Sequence, residues 1–442
     1  MMPGMLRRLP AYRVLRTGAT AFRAIARYRR IEARGEAAAR SAHERTAQEI
    51  HDLATELEGL FIKLAQVMGG RGDVLPEAYG RILGRFHDRV PARPFRELEK
   101  SASRALGRRL RDVFSDIDET PLASASLAQV HRARLLRGGD VVLKIQYPEI
   151  AKLVRIDLGS MRRIGRQVDR RFGGVVSGVD VIEEMAHFLG LELDFTREAT
   201  STERVRKAFE GDDRVRVPRV HGEHSSRTLL VLEYLDGTPL TDTDRLRKLD
   251  SDLPAFARRI AELYAAMIFE LGFFHGDPHP GNLLLLPNNV VGLLDFGLAK
   301  ELPDQFGRWM AALIVRGMRG DREGALEAAR ALGFNIDELS PTLLAEILEQ
   351  AMGRRAPVRG SEPAPWRERR RVRQAERDRM RELAEGGERL QIPPHFALIG
   401  RTMMLLNGLS ERLAPGQRII QQTLREVLAP YAMAAGAAAP RT

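Results

Sequence analysis

Apolar residues recur at helical spacing in the first part of the chain. Between residues 5 and 30, leucine, valine, phenylalanine and isoleucine recur at roughly helical intervals among arginines, which predicts a basic amphipathic helix. A second helical pattern covers residues 41–70 and ends near Gly69 and Gly70, as helices commonly end at glycine. Two interpretations of the first helix stay open. It binds an anionic membrane, a contact that salt would weaken, or it packs on the protein's own surface with its arginines in solvent.

From about Pro121 the pattern changes to short runs typical of β-strands. The stretches 127–136 and 141–145 flank the turn sequence Gly-Gly-Asp at 138–140, which predicts two neighbouring antiparallel strands. After residue 236 the chain is mainly helical, with a loop and two short strands between His275 and Leu294. In between, the pattern predicts helices at 149–172 and 179–209 and strands at 217–222 and 228–235. The order of elements predicts a small β-rich unit followed by a larger helical one.

Composition narrows the class of protein. The net charge of +11 suggests anionic partners, although an arginine-rich, alanine-rich composition explains the same excess without one. The absence of cysteine excludes disulfides, thiolate metal sites and a thiol nucleophile, and it fits a reducing compartment. No apolar run is long enough to cross a bilayer. We therefore expect a cytoplasmic chain or one held peripherally on the inner face of a membrane, and nucleic acid is not an expected partner.

The strongest chemical signal is the run His-Gly-Asp-Pro-His-Pro-Gly-Asn at 275–282, followed thirteen residues later by Asp-Phe-Gly at 295–297. Mg²⁺ prefers oxygen ligands, and Asp295 and Asn282 supply a carboxylate and an amide oxygen. Asp277 precedes Asn282 by five residues, the offset between base and metal ligand in kinase catalytic loops. We predict that Asp277 orients the attacking hydroxyl or water and accepts its proton.

The two histidines of this loop do not form a helical metal-ligand pair, because the prolines and glycines around them prevent a helix. We expect His275 to brace the loop backbone. For His279, a structural brace and a phosphate contact both stay open.

Upstream, Lys144 lies within an apolar strand, where a buried ammonium requires an anionic partner. Its setting is typical of the strand lysine that binds the α- and β-phosphates of ATP while a helix glutamate positions it. Glu198 is the favoured partner and Glu192 the alternative. Glu233 and Leu235 close the next buried strand, where an adenine would meet backbone groups. In chain order, these features predict an α+β, two-lobed protein-kinase-like fold that uses ATP and Mg²⁺.

At this point the sequence resembles the UbiB-like atypical kinases, a family associated with ubiquinone biosynthesis, over roughly residues 45–435. The catalytic loop at 275–282 carries that family's pattern in full. The family's Lys-x-Gly-Gln element is matched by residues 63–66, with Ala65 in place of glycine, and its Glu-x-Asp element by residues 192–194. The family's alanine-rich nucleotide loop is matched by Ala123, Ser124, Ala125, Ser126, Leu127, Ala128, Gln129 and Val130.

The resemblance implies a helical extension over the cleft between the lobes, with Lys63 near Glu192 or Asp194 and Gln66 pointing at the site. Ala65 and Ala128 add methyl groups where the family usually has glycine, so the clamp on the nucleotide is expected to differ. We predict four segments: the N-terminal helix (1–40), the extension (41–118), the N-lobe (119–236) and the C-lobe (237–442), which includes a charged insertion at 353–390.

In function, the resemblance implies an ATPase or kinase that supports isoprenoid quinone or membrane-lipid metabolism, with little activity on proteins. Candidate partners are ATP, an isoprenoid quinone precursor or lipid, and an anionic membrane surface. Two alternatives stay open. One is a nucleotide-gated scaffold for membrane biosynthetic enzymes, and the other is a small-molecule kinase of the aminoglycoside phosphotransferase type.

Overall fold

The computed structural model describes residues 7–31, 36–69, 76–88, 90–172, 178–249, 251–338 and 393–437. The charged insertion predicted at 353–390 lies outside these described residues. The chain divides into two compact units, one formed by Met1–Lys207 with Val217–Asp236 and the other by Ala208–Arg216 with Gly237–Thr442. The mixture of helices with small, mostly antiparallel sheets is the α+β class that the sequence predicts.

The first unit begins with helices and continues with a sheet and three further helices. The helices before the sheet are α1 (Pro10–Ile31), α2 (Glu36–Leu57), α3 (Leu60–Gly69), α4 (Glu77–Leu83), α5 (Arg85–Asp88) and α6 (Phe95–Leu106). One apolar core runs from these helices into the sheet, with Leu60, Leu83 and Leu98 among its fully buried members. Tyr12 of α1 packs against this same core, which α1 therefore shares with the later helices and the sheet.

Helix α1 packs with its polar face inwards. Arg13 is only 2% exposed, and its guanidinium donates to both oxygens of Asp157, at 2.6 and 2.5 Å. Arg16 pairs with Glu56. The helix therefore lies on the protein's own surface, but the expectation that its arginines are solvated is wrong for Arg13, because an internal carboxylate compensates its burial. Burial raises the pKa of Asp157, and the hydrogen bonds from Arg13 offset part of that increase.

The sheet of this unit is antiparallel, as predicted for its central strands. Its strands are β1 (Phe114–Ile117), β2 (Ala123–Ser124), β3 (Ala128–Leu135), β4 (Asp140–Gln146) and β6 (Leu229–Glu233), in the order β1-β3-β4-β6 with β2 on β3. Gly138 and Gly139 turn the chain between β3 and β4 with φ of 87° and 102°, a region that favours glycine. The pairing sets Val130 opposite Lys144.

Between β4 and β6 the chain forms α7 (Ile150–Phe172), α8 (Gly178–Glu192) and α9 (Phe195–Ala208). The strand predicted at 217–222 is wrong. Only Val220 pairs there, in a single bridge to Leu232, and the strand is instead the short β5 (Val215–Arg216). Because β5 pairs in parallel with a strand of the second unit, residues 208–216 belong to that unit.

The second unit is mainly helical and holds a four-stranded sheet. Besides β5, the strands of this unit are β7 (Thr238–Pro239), β8 (Phe273–Phe274), β9 (Leu283–Leu286), β10 (Val290–Leu293) and β11 (Lys300–Glu301). The larger sheet has the order β5-β10-β9-β7, and β8 pairs with β11. Its helices are α10 (Thr243–Lys248), α11 (Leu253–Ala266), α12 (Phe306–Arg319), α13 (Arg322–Ala331), α14 (Pro394–Leu413) and α15 (Ile419–Ala437).

Two local features shape the stretch before the catalytic loop. A single π-helical turn, Met267–Leu271, continues α11, and Gly272 ends it at φ 59°. The chain then enters β8 directly, so that His275 follows a buried strand. Within the ranges that the structure describes, no helix combines the length and apolar character that crossing a membrane requires.

Candidate active site

Lys144 of β4 and Glu198 of α9 form a close ion pair in the first unit. The ammonium lies 2.6 and 2.8 Å from the two carboxylate oxygens, and the side chains are 15% and 5% exposed. Glu198 is thus the partner that the structure gives Lys144. The pair also lies near Phe195, whose ring centroid is 5.3 Å from the ammonium. Such burial strengthens the attraction but makes either charge costly if its partner is lost.

Glu192, the alternative partner, pairs instead with Lys63 of α3. The side chain of Asp194 accepts from the hydroxyl and the N–H of Thr196, at 2.6 and 3.1 Å, and these bonds lower its pKa. Lys63 therefore approaches the first acid of the Glu-x-Asp element. Gln66 donates from its side-chain amide to the carbonyl of Phe86 at 2.8 Å, a contact that the sequence did not predict.

The alanine-rich loop forms a tight turn between β2 and β3. The N–H of Ala125 donates to the carbonyl of Ala128 at 2.9 Å, and Ala123 and Ala125 face outwards. Ser126, Leu127 and Ala128 are buried, at 5%, 4% and 4% exposure. Within this loop Ala123 and Ala125 are thus exposed, whereas the run from Ser126 to Gln129 is buried.

Gln129 is fully buried, and its side chain is used within the protein. Its amide accepts from the N–H of Arg93 at 2.5 Å and donates to the carbonyl of the same residue at 3.1 Å. The guanidinium of Arg93 pairs with Glu58 and lies over the ring of Tyr147, 4.1 Å from its centroid. Ser124 reaches the same ring, with its hydroxyl 2.9 Å from that of Tyr147. The alanine-rich loop is thereby attached to the segment that precedes α6.

Glu233 and Leu235 lie at the end of β6, where the sequence predicts the adenine site. The carboxylate of Glu233 accepts from the N–H of Arg219 at 3.1 Å, and Leu235 is buried at 9% exposure. Adenine binding by backbone groups of this stretch stays a prediction.

In the second unit, Asn282 and Asp295 come together at one end of the β9–β10 hairpin. Leu283 pairs with Leu293, and the N–H of Leu294 donates to the carbonyl of Asn282 at 2.9 Å. Asp295 has φ 54°, a strained value for a residue with a Cβ, and its carboxylate accepts from the N–H of Gly297 at 3.2 Å. The backbones of two residues thirteen apart in sequence are thus neighbours at the end of this hairpin.

The amide of Asn282 also fixes Asp277. Its NH₂ group donates to the carbonyl and to the Oδ2 atom of Asp277, both at 3.2 Å. Because the nitrogen is used in this way, the Oδ1 atom of Asn282 is the one turned towards other ligands. A carboxylate and an amide oxygen at one site are a donor set that fits Mg²⁺.

His275 braces this loop through hydrogen bonds in the protein interior. It is fully buried, with Nε2 2.6 Å from the carbonyl of Leu294 and Nδ1 2.8 Å from the hydroxyl of Tyr264. A carbonyl only accepts, so Nε2 carries the proton and Nδ1 accepts from Tyr264. Burial lowers the pKa of His275, and burial with the nearby charge of Asp277 raises the pKa of Tyr264 well above its ordinary value. The ring is neutral and joins the loop to the strand before Asp295.

His279 has a local role that favours the structural interpretation. Its Nδ1 atom accepts from the N–H of Gly281 at 3.2 Å, at the start of the 3₁₀ turn Pro280–Asn282. The turn carries Asn282 to the head of β9.

Helix α14 supplies contacts to the catalytic loop that sequence reasoning missed. Arg401 donates to the Oδ1 atom of Asp277 at 3.0 Å, and the buried Thr402 donates to the carbonyl of Gly276 at 3.1 Å. Both residues lie more than 120 positions from the loop, and no motif marks them.

Comparison with known proteins shows that this chain is similar to a group of atypical kinases. Residues 85–329 match the model of the "ABC1 atypical kinase-like domain". AarF domain-containing kinase 1 of Drosophila melanogaster is 34% identical over 299 residues, which are 67% of this chain and 58% of that protein. The probable serine/threonine-protein kinase abkB of Dictyostelium discoideum is 33% identical over 271 residues, 60% of this chain and 40% of that protein.

A third relative is the chloroplastic protein ACTIVITY OF BC1 COMPLEX KINASE 7 of Arabidopsis thaliana, 34% identical over 264 residues, 60% of this chain and 38% of that protein. The chain thus spans between about two fifths and three fifths of the length of these relatives. Among solved structures, that of Rv3197 of Mycobacterium tuberculosis with erythromycin matches with a TM-score of 0.57 and 23% identity. The match covers 88% of this chain and 97% of that one, and it supports the kinase-like fold.

Proposed function

This chain belongs to the ABC1 atypical kinase-like family, and from that premise we propose that it is an ATP-dependent phosphotransferase or ATPase. The observation that carries the proposal is that Asn282 donates from its side chain to Asp277 and accepts at its backbone carbonyl from the N–H of Leu294. Asp277, Asn282 and the adjacent Asp295 thus form one group. This group combines a base with two oxygen ligands for a metal ion, the parts that phosphoryl transfer needs. The names of its relatives as kinases agree with this chemistry.

We assign each residue a separate role in the reaction. Lys144, positioned by Glu198, binds the α- and β-phosphates. Asp277 orients the attacking hydroxyl or water and takes its proton as the new bond to phosphorus forms. Transfer to an alcohol gives a phosphate ester and ADP, whereas transfer to water gives phosphate and ADP.

Asn282 and Asp295 would hold Mg²⁺. When bound, the ion offsets the negative charge of the phosphates and polarises the bond that breaks. We further propose that the turn at Ala123–Val130 and the chain at Glu233 and Leu235 contact the nucleotide through backbone groups.

For the acceptor, we propose an isoprenoid quinone precursor or a membrane lipid, with little activity on proteins. This part rests on the resemblance to UbiB-like kinases, in which the Lys-x-Gly-Gln element is held to occupy the protein-substrate groove. The pair of Lys63 with Glu192 is the contact that this interpretation requires.

The direct test is turnover of γ-labelled ATP by the full chain, with Mg²⁺ or with a chelator. The reaction is run with a soluble prenylated phenol, with vesicles containing phosphatidylglycerol, with a generic basic protein, and alone. We expect Mg²⁺-dependent release of ADP that the phenol or the vesicles stimulate, and no label on the protein. Absence of ATP turnover under all of these conditions would contradict the proposal, and rapid labelling of the basic protein would contradict its acceptor.

The outward face of α1 favours one more proposal, a peripheral contact with an anionic membrane. Leu15 and Phe22 are 71% and 72% exposed on this helix, beside Arg23, which is 46% exposed. Burial of such side chains in a lipid surface is favourable. Since Arg13 and Arg16 pair with internal carboxylates, the contact would depend mainly on apolar burial.

We expect the double change Leu15→Ser and Phe22→Ser to lower the fraction of protein that floats with phosphatidylglycerol vesicles, and high salt to lower it only in part. A matched control changes Leu122 and Leu136 to serine, since these are also exposed leucines of the first unit, at 51% and 58%. Equal flotation of the two double variants would exclude α1 as the contact.

A further inference from the structure

Arg401 donates to the oxygen of the Asp277 carboxylate that the side chain of Asn282 does not contact. Its Nη2 atom donates to Oδ1 at 3.0 Å, while the Nδ2 atom of Asn282 donates to Oδ2 at 3.2 Å. Each carboxylate oxygen therefore has its own donor, and rotation of the group about its last bond would break both contacts. We propose that Arg401 is a positioning residue for Asp277 in the phosphoryl transfer proposed above, on which this inference rests.

Helix α14 is built to present Arg401 at a fixed place. The neighbouring Thr402 is fully buried and bonds to the carbonyl of Gly276, the residue before Asp277. Gly276 has φ 81°, and a Cβ atom there would lie 2.4 Å from the carbonyl oxygen of Leu298 and 3.5 Å from a methyl group of Leu398 on α14. The loop backbone and the helix are thus in direct contact. This contact fixes the backbone of α14 beside the loop, and the side chain of Arg401 spans the remaining distance to the carboxylate of Asp277.

The exposure of this ion pair argues for a role in the reaction over one in folding. The side chain of Arg401 is 50% exposed and that of Asp277 is 21% exposed. Half-exposed ion pairs contribute little to stability. A base that must meet a nucleophile at one angle, by contrast, gains from any donor that limits its rotation, because small misplacements of reacting groups lower rates strongly.

Arg401 has no part in the proposed contacts to ATP. A change at Arg401 is therefore expected to alter the rate of the reaction and not the binding of ATP. Lys144, Asn282 and Asp295 carry the proposed contacts to phosphate and metal. Loss of Arg401 should consequently lower kcat and leave the KM for ATP nearly unchanged, the pattern of an interaction used after binding.

The experiment compares Arg401→Gln, Arg401→Lys and the control Arg412→Gln in the full chain. Arg412 lies on the same helix and is exposed, and it has no side-chain partner in the described part of the chain. We expect Arg401→Gln to lower kcat by roughly 10- to 100-fold, with KM for ATP and Tm close to those of the wild type. Arg401→Lys should recover part of the rate, since it restores a cationic donor without the fixed geometry of the guanidinium.

Three outcomes would overturn the assignment. An unchanged kcat in Arg401→Gln would show that Asn282 alone positions the base. A raised kcat would show that the arginine blocks Asp277. A fall in Tm that parallels the fall in rate, without recovery by lysine, would assign Arg401 to folding. In each of these cases the wild type still turns over ATP, whereas a wild type without turnover removes the proposed function itself.

Discussion

Replacing Asp277 by asparagine is expected to lower ATP turnover by roughly 10²- to 10⁴-fold, the range that a lost general base produces, while ATP still binds. Asparagine has nearly the same shape and keeps an oxygen that can accept from Arg401 or Asn282. It has no charge and cannot take the proton of the nucleophile. Turnover of labelled ATP and calorimetric titration of ATP measure the two effects separately.

Asp304→Asn is the matched control for this change, because Asp304 is an exposed aspartate of the same unit with no assigned role. The same pair of variants separates an enzyme from a nucleotide-gated scaffold. If a strain that lacks the gene is complemented by Asp277→Asn, and the variant binds ATP but does not turn it over, catalysis is not the function.

Replacing Lys144 by methionine is expected to lower both ATP affinity and stability. Glu198 is only 5% exposed, and removal of its partner leaves a buried charge. Breaking a buried pair in this way typically costs about 3–5 kcal/mol of unfolding free energy. Denaturant unfolding and ATP titration give the two quantities, and Lys152→Met, at an exposed lysine of α7, is the control.

The double variant Lys144→Met with Glu198→Gln tests the cause of the instability. Removal of both charges should restore much of the unfolding free energy, because no unpaired ion remains, but it should not restore ATP binding. A double variant as unstable as Lys144→Met would mean that the loss comes from packing. Unchanged ATP affinity in Lys144→Met would contradict the assigned phosphate contact.

The sequence predicts those elements whose signals are local. The β3–β4 hairpin was predictable because Gly138 and Gly139 mark the turn between two short runs typical of β-strands. The catalytic loop was recognisable because Asp277 and Asn282 lie in one short stretch, five residues apart, so that their spacing can be read directly from the sequence. The choice of Glu198 over Glu192 depends on which of two successive helices brings its glutamate to Lys144, and sequence could only rank the two.

Contacts between distant segments could not be predicted in this way. Arg13 reaches Asp157 across 144 positions, and Arg401 reaches Asp277 across 124. Each guanidinium looks like an ordinary basic residue of an amphipathic helix until packing brings a carboxylate to it. The strand wrongly predicted at 217–222 has the same cause, since the strand that forms is β5, two residues upstream, and it forms by pairing with the distant β10.

We propose that Asn282 and Asp295 form a metal site where the loop meets the β9–β10 hairpin, and calorimetric titration of ATP with and without Mg²⁺ tests this assignment most directly. The wild type should bind ATP more tightly in the presence of Mg²⁺, and Asp295→Asn should show little or no gain from the ion. If Asp295→Asn binds ATP with the same dependence on Mg²⁺ as the wild type, the metal is held elsewhere and the assigned site is wrong.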